Sequence, residues 1–301
     1  MSRNAPWRQT NWDWRAAANF MGGGAGAGLL IAAAIVSAPG DPFWPHAALA
    51  LLLIGGGLAS AWFEIGRPLR AMNVFLHPRT SWMTRESYVA VALFAVGLVT
   101  VLVAPRSGAV PGGGALIWAC AVLAAVYLFT QTRILAAARG IPAWREPALQ
   151  PLMVVTGLTE GVGLMLVLAP VAAGAVAGPA AVLLCLCLLR GLAWLVYLRR
   201  IESAGVPPAA CAVLRRASTG LIVVGHVLPI LLSFLALQPW PWPTGLGVLA
   251  GVVALAAGWL LKYLVVTRAA YNQGFALPWT PVRGAGDAVA GPRPGWPNGG
   301  T

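Results

Sequence analysis

The chain has 301 residues, 59% of them hydrophobic and only 9% charged, with a mean hydropathy of +0.77. A soluble domain carries roughly 25% charged residues, so this composition excludes a pair of ordinary soluble domains, and equally a disordered chain, a collagen or a disulfide scaffold. The formal charge of +12 would point to nucleic acid in a soluble protein; in so apolar a chain it is first read as loop charge that sets membrane orientation.

A bilayer core about 30 Å thick is crossed by about 20 apolar residues of helix. Runs of that length lie at roughly 16–37, 46–65, 86–104, 113–134, 148–170, 176–198, 218–237 and 244–267. They lack the strict alternation of a transmembrane barrel, so the predicted fold is an all-α integral membrane protein of eight transmembrane helices. Short segments with Pro, Gly or charge separate the runs, such as Ala38-Pro39-Gly40-Asp41-Pro42. A Trp-rich leader (Trp7, Trp12, Trp14) precedes the first run, which is too long for a signal peptide. Residues 1–273 are read as the membrane domain, and 274–301, rich in Gly and Pro, as an extended cytoplasmic tail.

Taken in order, the basic residues fall almost entirely on one side, with Arg106 opposite and Arg190 inside a span. Arg3, Arg8 and Arg15 precede span 1; Arg67, Arg70, Arg79 and Arg85 lie between spans 2 and 3; Arg133, Arg139 and Arg145 between 4 and 5; Arg199, Arg200, Arg215 and Arg216 between 6 and 7; and Lys262, Arg268, Arg283 and Arg293 at or after the last span. Positive charge is retained in the cytoplasm, so both termini are expected there. The opposite loops carry little charge (Asp41, Arg106) and hold Trp44, Trp240 and Trp242, as an interfacial aromatic belt does.

The ionisable residues at membrane depth carry the functional expectation. Glu64 closes span 2 and Glu86 opens span 3, flanking the basic loop. Two carboxylates with several Arg at one interface can bind a quinone head group and pass its protons; the alternative is that both are helix-end charges paired with Arg67 and Arg85. Tyr127 can donate to a quinone carbonyl, whereas Trp144 and its neighbouring arginines are read as surface anchors. Glu160 and Arg190 sit deep in spans 5 and 6 and are expected to pair, either as a clamp or on a proton route. His226 is read as a hydrogen-bonded core residue, and Lys262 is expected to snorkel to its helix end.

Other chemistry finds little support. His46, His77 and His226 do not share a depth, so no haem is expected between them. Cys120, Cys185, Cys187 and Cys211 form no CxxC and read as small apolar residues. The glycines of Gly22 to Gly28 are read as helix packing, since no strand precedes them to make a nucleotide site. No metal-ligand cluster or nucleophile–base pair stands out, and no catalytic residue is expected in the chain itself.

The segments Trp62-Phe63-Glu64-Ile65-Gly66-Arg67-Pro68-Leu69-Arg70-Ala71 and Arg79-Thr80-Ser81-Trp82-Met83-Thr84-Arg85-Glu86 resemble the 2–3 loop of the dimethyl sulfoxide reductase membrane anchors, within the wider polysulfide reductase or NrfD-like group. The stretch Tyr127 to Pro147 is similar to the segment after span 4 of the same anchors. The resemblance implies a haem-free anchor that holds a molybdopterin catalytic subunit and an iron–sulfur subunit with four clusters to the bacterial inner membrane, and that exchanges electrons with menaquinone or ubiquinone. It implies a quinol-site role for Glu86. Glu64 stands where these anchors carry a functional histidine, a departure that bears on quinone affinity. Asn19 and Tyr127 resemble pocket-lining positions of polysulfide reductase anchors. The basic face, with Arg70, Arg79, Trp82 and Arg85, is the expected docking surface for the iron–sulfur partner. With that face cytoplasmic, the chain looks like the anchor of a phenylacetyl-CoA:acceptor oxidoreductase. The rival readings are a secondary transporter with a midplane Glu160–Arg190 site and a purely structural anchor.

Overall fold

The computed structural model describes residues 5–36, 42–65, 68–107, 113–172 and 175–274. Its long helices are α1 (Trp14–Val36), α2 (Trp44–Glu64), α3 (Trp82–Ser107), α4 (Gly113–Ala137), α6 (Leu149–Ala172), α7 (Ala177–Ser203) and α10 (Pro243–Tyr263). A 3₁₀ helix, Pro68–Leu76, joins α2 to α3, and a single turn α5 (Pro142–Arg145) precedes α6. The seventh crossing is composite: α8 (Pro208–Ile222), a π-helical turn (Val223–Val227) and α9 (Leu228–Ala236) run on as one rod. Eight helical segments are thus long and apolar enough to span a membrane.

The helices match the expected runs except at the start of span 7, which begins at Pro208 instead of 218. Residues 199–217 look like loop because of their arginines, but α7 runs on to Ser203 and α8 restarts after a short turn. Arg215 pairs with Glu202 across that turn at 2.6 Å. The charge belongs to helix ends, not to a loop. Arg3, Asp41, Arg67, Arg283 and Arg293, and the tail from 275 onward, lie outside the described residues.

The bundle is built on two buried helices, α1 and α6, with the other spans more exposed around them. Lipid tails give apolar side chains no reason to leave them, so close approach of backbones drives such packing. A Cβ at Gly161 would run into the backbone of Gly28, and one at Gly28 into the carbonyl of Gly157. The α1–α6 crossing therefore has no room for a side chain. Gly161→Val is expected to destabilise the subunit by at least about 1–3 kcal/mol, measured as a lower midpoint of thermal unfolding in detergent; an unchanged midpoint would mean that the crossing is looser than described.

Both ends of the described chain meet at one end of the bundle. Arg8 and Tyr271 form an antiparallel bridge. The Gln9 N–H donates to Ala270 O at 2.9 Å, and the Asn272 N–H to Trp7 O at 3.0 Å. A second π-helical turn (Leu264–Arg268) ends α10 and leaves carbonyls without helical donors. Trp144 Nε1 donates to Val265 O at 2.8 Å and Gln9 Nε2 to Val266 O at 3.3 Å. Trp144 is therefore no surface anchor: it is buried, stacked on Trp12 with ring centroids 5.0 Å apart.

Candidate functional site

At this same end, a cavity of about 630 Å³ opens between the leader, α1, α2, the 3₁₀ helix and α3. Apolar side chains line most of it, among them Phe20, Leu58, Val74, Phe75, Ala90 and Phe94. Its polar lining is sparse: Asn11, Asn19, Glu64, Glu86 and Ser87. The 3₁₀ helix forms its floor because α3 grips it. Thr84 Oγ1 donates to Val74 O, and Tyr88 OH to Phe75 O at 3.1 Å, with the Phe75 and Tyr88 rings edge to face.

Glu86 and Glu64 both reach this cavity, in different settings. Glu86 is 4% exposed and forms no ion pair among the described residues. Tyr127, Gln131 and Asn19 are the polar side chains that face its carboxyl. They surround it, yet three oxygens among them, Glu86 Oε1, Asn19 Oδ1 and Tyr127 OH, are buried without a partner at ordinary hydrogen-bond geometry. Buried polar atoms in native structures are seldom left unpaired, so this cluster is poised for a further polar group. Gln131 Nε2 holds Asn19 O at 3.0 Å and so fixes the cluster to α1.

Glu64 is half-buried at the C-terminal end of α2, where the helix dipole disfavours an acid. Its Oε1 accepts the backbone N–H of Asp13 at 3.3 Å. Asp13 in turn caps the start of α1 through the Arg15 N–H and pairs with the Arg15 guanidinium at 2.9 Å, and Arg15 also donates to Phe63 O. Hydrogen bonds from Arg15 hold the Asp13 carboxyl below its ordinary range. A depressed carboxyl keeps its contribution at neutral pH and loses it only as pH falls below that range. Mild acid, down to about pH 5, is therefore expected to leave the α1–α2 pin intact; detergent-phase unfolding midpoints that fall between pH 7 and 5 in wild type but not in Asp13→Asn would contradict this.

The expected docking residues divide. Arg70 and Arg79 are exposed. Trp82 and Arg85 are engaged within the fold: Arg85 donates to the carbonyls of Pro78 and Arg79, and its guanidinium stacks over Trp82 at 4.2 Å, with Arg133 on the same ring at 5.0 Å. Arg85 thus closes the 2–3 loop and makes no ion pair with Glu86.

The Glu160–Arg190 pair is not formed. Glu160 pairs with Lys262, Nζ to Oε2 at 2.5 Å, and all three residues are fully buried. Gly258 gives the reason: it lies against Glu160 Oε1, leaving room for the carboxyl on α10, and Lys262 stands one turn further on the same helix face. Helical side chains lean toward the N-terminus, so the Lys262 arm points back to Glu160 instead of snorkelling out. Arg190 instead donates to Ala254 O at 3.0 Å and to Gly225 O. Pro229, lacking an N–H, leaves Gly225 O without its ordinary helical donor, and the guanidinium fills that place. His226 is a buried core residue whose Nδ1 meets Leu221 O at 2.7 Å.

Gln131 and Lys262 are the two polar residues of these clusters for which the sequence raises no functional expectation. Gln131 had a signal, standing one turn after Tyr127 on the same face of an apolar span. Lys262, the only lysine, had only its depth.

Among the described residues, eight helices long and apolar enough to span a membrane, a polar cluster buried at one end and a basic 2–3 loop describe a helical membrane protein. The DMSO reductase anchor subunit (DmsC) family matches residues 45–196, half of the chain, and the chain belongs to that family. It is accordingly the membrane anchor subunit of a molybdoenzyme complex, and membership implies a catalytic molybdoenzyme subunit and an iron–sulfur subunit as partners. The matched stretch contains Glu64, Glu86, Tyr127, Glu160 and Arg190; Asn19 and Lys262 lie outside it. No curated protein matches the chain.

Proposed function

We propose that this anchor binds a quinone or quinol in the cavity beside Glu86 and passes electrons between it and the iron–sulfur partner. The observation that carries the reading is the set of unpartnered buried oxygens of Glu86, Asn19 and Tyr127 at a largely apolar cavity of about 630 Å³. Ligand sites are typically apolar pockets of ~300–1,000 Å³ with a few converging polar groups. A quinone suits both halves: its ring and tail are apolar, and its two carbonyls need donors.

Reduction of a quinone takes two electrons from the iron–sulfur partner and two protons, and oxidation of a quinol returns them. Glu86, with no cation paired to it among the described residues, can give a proton to one carbonyl oxygen or take it back. The Asn19 amide donates through one end and accepts through the other, which serves a carbonyl and a hydroxyl alike. Glu64, at the water-facing rim and tied to the leader, suits exchange of those protons with solvent. Arg67, expected from the sequence to act with these acids, lies outside the described residues.

The distribution of arginines supports a cytoplasmic basic face and cytoplasmic termini in a bacterial inner membrane, with Arg70 and Arg79 offered to a four-cluster iron–sulfur subunit. The partners then meet substrates confined to the cytoplasm, of which a CoA ester such as phenylacetyl-CoA is the one the sequence resemblance favours. The quinone reading is tested by titrating the purified complex with a fluorescent quinol analogue. Saturable quenching is expected, and Ala90→Trp, which fills the cavity wall, should abolish it. Quenching that survives Ala90→Trp would place quinone elsewhere.

A further inference from the structure

The quinone reading assigns no work to the Glu160–Lys262–Arg190 cluster, yet this cluster is not isolated from the Glu86 cavity. The two groups meet at one notch in α1. A Cβ at Gly23 would stand 2.9 Å from Tyr127 OH and 3.1 Å from Gln131 Cδ, so these side chains fill its place. A Cβ at Gly24 would collide with Lys262 Nζ and lie 3.7 Å from Gln131 Oε1. The ammonium that pairs with Glu160 therefore reaches the same notch as Gln131, the residue that faces Glu86 on its other side.

We infer that the Glu160–Lys262 pair is a second, internal proton-exchange site for the quinone reaction, joined to Glu86 across the Gly23–Gly24 notch by Tyr127 and Gln131. This rests on the quinone reading and deepens it. The cluster holds two cations and one carboxylate, so it carries one surplus positive charge in a medium of low dielectric. When a quinone takes two electrons, Glu86 gives one proton to it and Lys262 gives the second by way of the notch. Lys262 becomes a neutral amine, Glu160 stays ionised beside Arg190, and the cluster is neutral. Protons from solvent restore both residues, and quinol oxidation runs the same transfers backward.

The charged and titratable groups around the pair are few. Lys262 comes from α10 and Arg190 from α7, and both act on Glu160. Cys187 and His226 lie within electrostatic reach of Arg190. Tyr127 from α4 and Glu86 from α3 lie beyond the notch. The buried atoms Tyr127 OH and Glu160 Oε1 lack partners on the two sides of the notch, so each has a lone pair free to accept a transferred proton.

The test uses the whole complex in membranes and reads quinone-coupled turnover against pH, the quinone KM and dye-linked activity of the catalytic subunit. Gln131→Leu cuts the link and leaves the ion pair; Lys262→Met with Glu160→Gln removes the pair without stranding a charge. Each is expected to slow quinone-coupled turnover by about 10²-fold and change its pH profile, with dye-linked activity unchanged; in the double variant, which leaves the Glu86 cluster whole, the quinone KM is expected to stay unchanged as well. If the double variant fails to assemble, Gln131→Leu decides. Wild-type rate and pH profile in Gln131→Leu, with Glu86→Gln inactive, would overturn the inference and leave the quinone site standing. Full activity in Glu86→Gln would remove the quinone reading, and this inference with it.

Discussion

Glu86→Gln is expected to lower quinone-coupled turnover of the assembled complex by about 10²-fold or more, with dye-linked activity of the catalytic subunit intact. The substitution keeps the side chain's shape and its place opposite Asn19, Tyr127 and Gln131, so the cavity survives. What it removes is the one carboxyl proton buried at the cavity wall. An amide can still hydrogen-bond a quinone carbonyl, so the affinity for quinone should change by no more than a few-fold. The loss therefore belongs in kcat. A raised KM with an unchanged kcat would show that Glu86 only binds, and that the proton travels by another residue.

Lys262→Met alone should be the most destabilising single change in the membrane interior. It leaves Glu160, fully buried and beside a glycine that offers no donor, without its cation. Removing one member of a buried ion pair costs about 3–5 kcal/mol, whereas replacing both with groups of similar volume is close to neutral. The unfolding midpoint in detergent should therefore fall sharply in Lys262→Met and recover in the Lys262→Met, Glu160→Gln double variant. Arg190 offsets the charge of the same centre but donates to two backbone carbonyls, so it does not replace the hydrogen bond to Glu160 that the Lys262 nitrogen gives whether charged or neutral. A single variant as stable as the double would mean that Glu160 finds another partner when Lys262 is gone.

The spans were legible because bilayer thickness fixes their length, and the composition of 20-residue windows needs no tertiary knowledge. The start of span 7 is hidden in the sequence because Arg215 and Arg216 have the composition of a loop, although they stand on an exposed helical turn from which Arg215 pairs back to Glu202. Glu64 and Glu86 stood out because acids at membrane depth are costly, and the structure brings both to one cavity with Asn19. Pairing between helices was not legible. Glu160 and Arg190 sit at similar depth, but which cation reaches Glu160 depends on helix rotation and on Gly258, a residue that matters for what it lacks. The same holds for Lys262, whose direction follows from the tilt of helical side chains and not from its distance to the helix end. Trp144 was misread because a Trp near an interface usually anchors there, whereas a π-helical turn at the end of α10 offers it a buried carbonyl.

Family membership and the membrane fold place the chain as an anchor; the Glu86 cavity is what would make it a conducting one. The most direct measurement is a cryo-electron microscopy map of the complex purified with its native quinone. A ring between α1, α2 and α3, with one carbonyl oxygen in hydrogen-bond reach of the Glu86 carboxyl, is the predicted result. A cavity filled by lipid, with the quinone density bound at a different face of the bundle, would contradict it.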